Sequence, residues 1–422
     1  MSATEFTATI DHDGIDPAIS TLPDISAASN LLEYFGAVNV ENLASAGTEA
    51  RQDLLIKARS LVQALETPRE TMVKHCWAQT GVLAAICFGV ETGLWKQMAR
   101  NGDKAQQVEA LAGELDIDPK LLSRLMRHLG SMGYLEETGI DDYQPTRLSK
   151  SLSLDYIAGG YLALPACTGA GPLRFHEYSR ARKFKNPTDA KDTSMMFAYG
   201  TGKNMFEWLD SLGFIADKHF NNHMSGYRQG RTPWFKFFPI QERLFNGACT
   251  EPGAPLLVDI GGSLGHDLKE LYQHYPKPPG KLILQDQGTV IKKISYLDPV
   301  ITKMVYNFHD EQPIKGARAY YLHSVLHDWP DDVCKGILAR IKAAMKPGYS
   351  KLLINENVIP STGVWWETSA LDMVMLTLFS SQERTERDWR NLLENIAGFK
   401  IVSIWKGGKA VKSLIEVELP NT

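Results

Sequence analysis

The chain has 422 residues, of which 44% are hydrophobic and 22% charged, a composition typical of a globular enzyme with two or three domains. Its net charge of −4 gives no basic surface for nucleic acid or an anionic membrane, and no apolar run reaches the roughly 18 residues of a membrane-spanning helix. The five cysteines are dispersed without a C-x-x-C pair, and the polar N-terminus has no signal-peptide character. We therefore expect a cytoplasmic protein without a metal site.

The sequence pattern in the first part of the chain predicts helices. Residues 1–25 are polar, and we expect a flexible N-terminus there; residues 26–150 show helical spacing of apolar positions. Within this region, residues 106–150 predict a helix, a turn, a second helix and a small β wing. This pattern is typical of DNA-binding modules, but its positive and negative charges roughly balance, which argues against nucleic acid as a partner.

Residues 151–250 are helical and rich in aromatic side chains. One interpretation is a packed core between domains. The other is a wall for a flat, apolar ligand, since small-molecule pockets are lined mainly by such side chains. The candidate pocket residues in this region are Tyr227, Trp234 and Phe238.

A glycine-rich loop follows the apolar strand predicted at residues 256–260. Glycine lets backbone N–H groups come close to a ligand, and an acidic residue about 20 positions later suits the ribose of a nucleotide-like cofactor. The order Asp-x-Gly-Gly-x-x-Gly differs from a dinucleotide fingerprint and looks more like the S-adenosylmethionine (SAM) loop of methyltransferases. Ser263, inside the loop, is tolerable at negative φ. The candidate cofactor residues here are Asp259, Gly261, Gly262, Gly265 and Asp286.

Several further segments carry a family resemblance over nearly the whole chain. They are the glycine loop, Gln285 with Asp286, residues 316–318, residues 327–331 and residues 382–385. In this order they resemble the caffeate/hydroxyindole-type class I O-methyltransferases, in particular those of fungal secondary metabolism. The resemblance implies an α/β fold: a C-terminal, seven-stranded, Rossmann-like SAM domain at residues 251–422 and an N-terminal helical, winged-helix dimerisation domain at residues 26–150. Residues 151–250 become a helical substrate-pocket region.

The resemblance implies a catalytic group of His327, Glu356 and Glu383, with Asp328 in support. A phenol with a pKa near 10 is mostly protonated at neutral pH, so its oxygen is a weak nucleophile. A histidine can take that proton as the methyl group moves, and neighbouring carboxylates orient the ring and favour its charged form. Taken alone, His327 could instead be a surface residue before a helix that begins near Pro330.

Further site residues come from the same resemblance. Asn307, Phe308 and His323 are expected to contact SAM, while Asp372 and Met375 complete the acceptor pocket. Two positions depart from the family pattern. Asn307 stands where an acidic residue usually contacts the adenine amino group, although an amide oxygen can also accept that hydrogen bond. His323 stands where lysine or arginine is common.

We therefore predict a homodimeric, SAM-dependent O-methyltransferase that acts on a phenolic or enolic hydroxyl of a polyketide-type secondary metabolite. An alternative is a methyltransferase-like pericyclase or dehydratase that uses bound SAM as a fixed positive charge. Such proteins tend to replace the histidine by a cationic residue, so the intact His327 weighs against this alternative. A third hypothesis is a DNA-binding regulator with an inactive methyltransferase domain.

Overall fold

The computed structural model of the chain describes residues 24–39, 47–228, 230–408 and 412–420. Almost all of the predicted flexible N-terminus lies outside these described residues. The chain divides into two compact units, residues 1–161 and residues 162–422.

The first unit is mainly helical. Its elements are α1 (Ile25–Gly36), α2 (Gly47–Leu65), α3 (Pro68–Val73), a π-helical turn (Lys74–Ala78), α4 (Gln79–Glu91), α5 (Leu94–Asn101), β1 (Gln106–Gln107), α6 (Val108–Leu115), α7 (Pro119–Ser131), β2 (Leu135–Gly139), β3 (Asp142–Pro145), α8 (Arg147–Ser151) and α9 (Asp155–Ala163). Proline at the start of α3 and α7 suits the first helical turn, where its missing N–H has no partner to lose. Trp95, Leu122 and Tyr143 lie in the buried core of this unit.

Helix α6, a turn and helix α7 are followed by the hairpin of β2 and β3, with β1 on the other side of β3. The side chain of Asp118 caps α7 by accepting the N–H of Leu121 at 2.8 Å. On the second of these helices, Arg127 lies 3.6 Å from the carboxylate of Asp141. A role of this unit in dimerisation remains a prediction.

The second unit starts with helices and ends with a sheet. Its helical elements before the sheet are a π-helical turn (Leu164–Thr168), α10 (Ala170–Leu173), α11 (Phe175–Ala181), α12 (Ser194–Tyr199), α13 (Met205–Leu212), α14 (Phe214–Arg228), a 3₁₀ turn (Trp234–Lys236) and a π-helical turn (Gln241–Phe245). The sheet region contains β4 (Pro255–Ile260), α15 (His266–His274), β5 (Lys281–Asp286), α16 (Gly288–Ile291), β6 (Ile301–Val305), β7 (Ala319–His323), a 3₁₀ turn (Leu326–Asp328), α17 (Asp331–Ala344), β8 (Lys351–Glu356), α18 (Trp366–Phe379), α19 (Glu386–Arg390), a π-helical turn (Asn391–Ile396), β9 (Lys400–Lys406) and β10 (Ser413–Glu418).

In the described part of the unit, the sheet has seven strands in the order β6-β5-β4-β7-β8-β10-β9. The first five are parallel, and β10 runs antiparallel to both β8 and β9. The expected Rossmann-like architecture is confirmed. The strand order reverses between β4 and β7, and ligands of such sheets bind beyond the carboxyl ends of the strands at this point.

Apolar side chains cover both faces of the sheet, as expected for buried parallel strands. Val258 of β4 packs with Ile337 of α17 on one face, whereas Leu257 packs with Leu268 and Leu271 of α15 on the other. This alternation follows from the two-residue period of a strand. Across the described ranges of the chain, no helix has the length and apolar character needed to cross a membrane.

Candidate active site

The glycine loop leaves β4 at Gly261, in a left-handed conformation with φ of +72°. The N–H of Gly261 donates to the carbonyl oxygen of Gln285 at 2.8 Å, so the loop is fixed to the neighbouring strand. A Cβ at Gly262 would lie 2.5 Å from Cγ of Asp259 and equally close to Cδ1 of Leu284. A side chain at position 262 would therefore force the loop or its neighbours to shift, which explains the glycine there.

Ser263 also adopts a left-handed backbone, with φ of +54°. The condition under which serine is tolerable here, a negative φ, is therefore not met. The N–H of Ser263 donates to Oδ2 of Asp286 at 2.7 Å, and this bond holds the residue in a conformation that serine rarely adopts. Gly265, with φ of +78°, precedes the first residue of α15.

Asp286 ends β5 and has two backbone hydrogen bonds, from Ser263 and from Gln287, both at 2.7 Å. Burial raises the pKa of Asp286, and these two hydrogen bonds act in the opposite direction. The carboxylate thus lies directly beside the glycine loop, as the sequence predicts for a ribose-binding acid. Contact with a ribose remains a prediction.

Asn307 and Phe308 follow β6 at the same edge of the sheet. Oδ1 of Asn307 accepts the N–H of His309 at 3.1 Å, so the predicted adenine-binding oxygen already serves a local turn. It has a second lone pair for another donor. The ring of Phe308 is half-buried and lies edge-on to Trp329, with centroids 5.9 Å apart.

His323, the last residue of β7, donates from Nδ1 to Oδ2 of Asp267 at 2.6 Å. Asp267 lies in the first turn of α15, and its carboxylate is 3.4 Å from the hydroxyl of Tyr321. Asp267 was not among the residues predicted from the sequence. One sequence signal could have identified Asp267: it is an acidic residue in the first turn of the helix that follows the glycine loop.

His327 lies in the 3₁₀ turn after β7 and is 6% exposed. Its Nδ1 donates to Oε1 of Glu383 at 2.6 Å. Glu383 is itself buried, and its backbone N–H donates to Oδ1 of Asp372 at 2.8 Å. The structure thus joins His327, Glu383 and Asp372 in one chain of contacts, whereas Asp372 was expected to line the acceptor pocket.

Glu356, at the end of β8, has a different task from Glu383. Its Oε1 accepts the backbone N–H groups of Val325 at 2.9 Å and Leu326 at 3.0 Å. Its Oε2 lies 3.7 Å from Nδ1 of His327. Glu356 therefore positions the turn that carries His327 and adds a negative charge close to the ring, while Glu383 binds the ring directly.

The charges of this cluster determine the protonation of His327. Burial lowers the pKa of the imidazole, but the carboxylates of Glu356, Glu383 and Asp328 outweigh it and raise the pKa of His327 to about 9. Nε2 of His327 lies 3.5 Å from Oδ1 of Asp328. Burial raises the pKa of Asp328 to about 7, although the nearby His327 lowers it. Burial also acts to raise the pKa of Glu383, but the charge and hydrogen bond of His327 hold it below its ordinary value.

His327, Glu356 and Glu383 are also the one group of possible metal ligands found in the described residues, with ligand atoms within 4.8 Å of one another. Two ligand atoms on one tetrahedral ion are about 3.3 Å apart, given metal–ligand distances of about 2.0 Å. The 2.6 Å between Nδ1 of His327 and Oε1 of Glu383 is instead a charge-assisted hydrogen bond.

Arg384 supports the same turn and was missed as a functional residue by the sequence analysis. It is 1% exposed and donates to the carbonyl oxygens of Leu326 at 2.9 Å and Trp329 at 2.8 Å. It also binds Oδ1 of Asp331 at 2.7 Å. A fork of five N–H donors suits this combination of carbonyl and carboxylate acceptors.

The predicted acceptor residues lie in different surroundings. Tyr227 is half-buried, and the guanidinium of Arg231 lies 3.9 Å from its ring centroid. Burial raises the pKa of Tyr227, the positive charge of Arg231 acts to lower it, and the negative charge of Glu383 adds to the rise.

The other three predicted acceptor residues belong to apolar clusters. Trp234 stacks on Tyr321 of β7, with centroids 4.9 Å apart, and both Trp234 and Phe238 are 2% exposed. Met375 of α18 is buried among Met195, Met205 and other apolar residues. A role of these residues in lining a pocket remains a prediction.

Comparisons with known proteins agree with this geometry. A family model described as an O-methyltransferase domain matches residues 249–400. The O-methyltransferase mfmE of Annulohypoxylon moriforme is 33% identical over 394 residues, which cover 93% of this chain and 96% of that protein. A solved structure described as a pericyclic reaction enzyme is 28% identical, with a TM-score of 0.81, and covers 90% of this chain and 97% of its own. The structure of OxaC in complex with SAH and oxaline is 26% identical, with a TM-score of 0.80, over 94% of this chain and 98% of OxaC.

Proposed function

Because the chain belongs to the O-methyltransferase family and is a SAM-dependent O-methyltransferase, we propose that it methylates a phenolic or enolic hydroxyl of a polyketide-type metabolite. His327 is the general base of this proposal, with its orientation set by Glu383 and its turn held by Glu356. The hydrogen bond of 2.6 Å between His327 and Glu383, at the carboxyl edge of the sheet, is the observation that carries the proposal.

The residues around the glycine loop fit SAM. The absence of space for a Cβ at Gly262 suits a loop whose backbone approaches a ligand closely, and a carboxylate suited to a ribose lies beside the loop. When bound, SAM would supply a methyl group on a sulfonium: as an acceptor oxygen bonds to the methyl carbon, the carbon–sulfur bond breaks and the sulfur leaves as a neutral thioether. The proposed binding residues are Asp259, Gly261, Gly262, Gly265, Asp286, Asn307, Phe308 and His323.

His327 accepts the acceptor's proton at Nε2, because Nδ1 is bound to Glu383. The imidazolium that results is stabilised by Glu383 and Glu356, as the raised pKa of His327 near 9 reflects. The neutral ring needed at the start forms more readily when a second positive charge enters the site, since like charges disfavour the imidazolium. Asp328, 3.5 Å from Nε2, is placed to hold the acceptor hydroxyl or the ring.

We also propose that the protein is a cytoplasmic homodimer joined through its first unit. The apolar side chains of Trp77 and Ile25 are 71% and 69% exposed, as expected of surfaces that a partner covers. The five cysteines are unbridged, which suits a reducing compartment. Light scattering after size exclusion should give twice the 47.0 kDa of one chain.

One observation favours the second candidate, a pericyclase or dehydratase. With a pKa of about 9, His327 carries a proton at neutral pH in the free protein, and a cationic donor is what such a reaction would use. The similarity to a pericyclic reaction enzyme supports the same alternative. The acceptor of this candidate would be rearranged or dehydrated rather than methylated.

The two candidates are separated by incubation with methyl-labelled SAM and a panel of polyketide phenols and enols. We compare the wild type with His327→Ala and with His176→Ala, whose exposed histidine lies on α11 outside the site. Label in the product with the wild type and His176→Ala, and a loss of about 10²–10⁴-fold in His327→Ala, supports methyl transfer with His327 as base.

Two results would contradict the proposal. Equal label transfer by the wild type and His327→Ala would show that His327 is not the general base. A product of changed isomeric form or lower mass, without label, would select the second candidate.

A further inference from the structure

A lysine missed by the sequence analysis lies beside the catalytic cluster. Lys412 immediately precedes β10, and the first residue of that strand, Ser413, pairs in register with Glu356 at the end of β8. Lys412 is therefore at the carboxyl edge of the sheet, where β7 and β8 also end. Lys412 is only 5% exposed, which is unusual for a lysine.

The ammonium of Lys412 donates to the hydroxyl of Ser324. Ser324 is the first residue after β7, and it has a left-handed backbone with φ of +55°. Its N–H also donates to the carbonyl oxygen of Asn355 at 3.3 Å. The turn that carries His327 thus begins at a strained residue whose side chain is held by Lys412.

The charges around the imidazole explain why a buried cation is needed there. Glu356, Glu383 and Asp328 face His327 from β8, from the loop before α19 and from its own turn. When all three carboxylates are ionised, their charges exceed the single positive charge of a protonated His327 by two. A buried charge is costly unless an opposite charge lies nearby, so the cluster requires a further cation.

Lys412 is such a cation. Burial raises the pKa of Asp328 and His327 lowers it, and Lys412 adds to the lowering effect. For Glu383, burial likewise acts to raise the pKa, while His327 and then Lys412 lower it. Arg384, also near Glu356, is already paired with Asp331.

We propose that Lys412 is a positioning residue of the active site, which fixes the His327 turn through Ser324 and balances the negative charges of Asp328 and Glu383. This inference rests on the proposed role of His327 as a base. It extends that role, because the positive charge of Lys412 lowers the pKa of Asp328 and so favours a negative charge beside Nε2.

The test replaces the charge in Lys412→Gln and retains it in Lys412→Arg. Lys406→Gln is the matched control. Lys406 is exposed and lies on β9 opposite Ser413, so this substitution removes the same charge from the same hairpin. Histidines are labelled with ¹³C at Cε1, and the His327 resonance is assigned by its absence in His327→Gln. The pH titration of this resonance reports Asp328 without requiring turnover.

In Lys412→Gln, we expect the step due to Asp328 to move up by about one pH unit, as loss of a close opposite charge predicts. We also expect kcat to fall about tenfold with the KM for SAM changed less than about twofold. Lys412→Arg should restore both, and Lys406→Gln should match the wild type.

An unchanged titration in a folded Lys412→Gln overturns the proposal, as does an equal shift in Lys406→Gln. If Lys412→Gln does not fold, Lys412→Arg becomes the test. Because arginine keeps the positive charge, the proposal predicts a near-normal titration and turnover in that variant, and a clear change in the titration would contradict it. If no acceptor is ever methylated by the wild type, the proposed function fails, while the titration still tests the charge balance independently.

Discussion

Nδ1 of His327 lies 2.6 Å from Oε1 of Glu383, although the two residues are 56 positions apart in the chain. The bond orients the ring so that Nε2 is directed away from Glu383. A second carboxylate, that of Glu356, binds the backbone N–H groups of the turn rather than the ring. The two glutamates therefore contribute differently, and the consequences can be measured.

Glu383→Gln removes the charge that orients and stabilises the imidazolium. We expect kcat to fall by about 10²–10⁴-fold, the range for loss of the carboxylate partner of a catalytic histidine. SAM affinity, measured by calorimetry, should change little because Glu383 is not among the proposed SAM ligands. Glu386→Gln, at a half-exposed ion pair with Arg390, is the control and should keep full activity. A Glu383→Gln enzyme with normal kcat would contradict the orienting role.

The pH dependence follows from the protonation of His327. Its pKa is raised to about 9, so the neutral base is the minor form at pH 7 and becomes dominant above about pH 9. The value of kcat/KM should therefore rise with pH by up to tenfold per unit and level off near pH 9. In Glu383→Gln the inflection should move to lower pH. An inflection at the ordinary histidine value of about 6.5 in the wild type would be inconsistent with this cluster.

Gly262→Ala should damage the cofactor loop. The new Cβ would lie 2.5 Å from Cγ of Asp259 and from Cδ1 of Leu284, so the loop or strand must shift. We expect about 1–3 kcal/mol less free energy of unfolding and SAM binding weaker by about tenfold or more. Denaturant unfolding and calorimetry measure the two effects.

The control for this variant is Gly336→Ala on α17, where a Cβ would meet nothing within 4 Å. Alanine is a better helix former than glycine, so Gly336→Ala should be neutral or more stable by about 0.5–1 kcal/mol. If Gly262→Ala behaves in the same way, the tight contact with Asp259 is not required.

Arg384→Lys tests the support of the His327 turn. A lysine cannot reach both carbonyl oxygens and Asp331 at once, because it lacks the planar fork of arginine. We expect a loss of about 1–3 kcal/mol in the free energy of unfolding, since buried acceptors lose their donors. Methyl transfer should fall as well. Arg387→Lys, whose side chain is 93% exposed, should match the wild type in unfolding and in turnover.

Much of the fold could be predicted from the sequence because the relevant signals are local. The strand before the glycine loop, the acid at the end of the next strand and the His327 motif each lie within a few adjacent residues. Alternation of apolar residues sets which face of β4 is buried, and the glycines at 261, 262 and 265 mark the turn into α15. The family resemblance then predicted the seven-stranded sheet, which is confirmed.

The sequence alone determined which chemical groups are available: a histidine, two glutamates and a glycine loop, each placed near a strand end by its local pattern. Only the tertiary structure decided how they divide the work. The left-handed φ of Ser263 depends on its hydrogen bond to Asp286. Asp372 is placed by its hydrogen bond from the N–H of Glu383. The position of Lys412 depends on the pairing of the next residue, Ser413, with Glu356. These relationships join segments far apart in the chain. They are set by strand pairing and packing, which bring these distant segments together only in the folded chain.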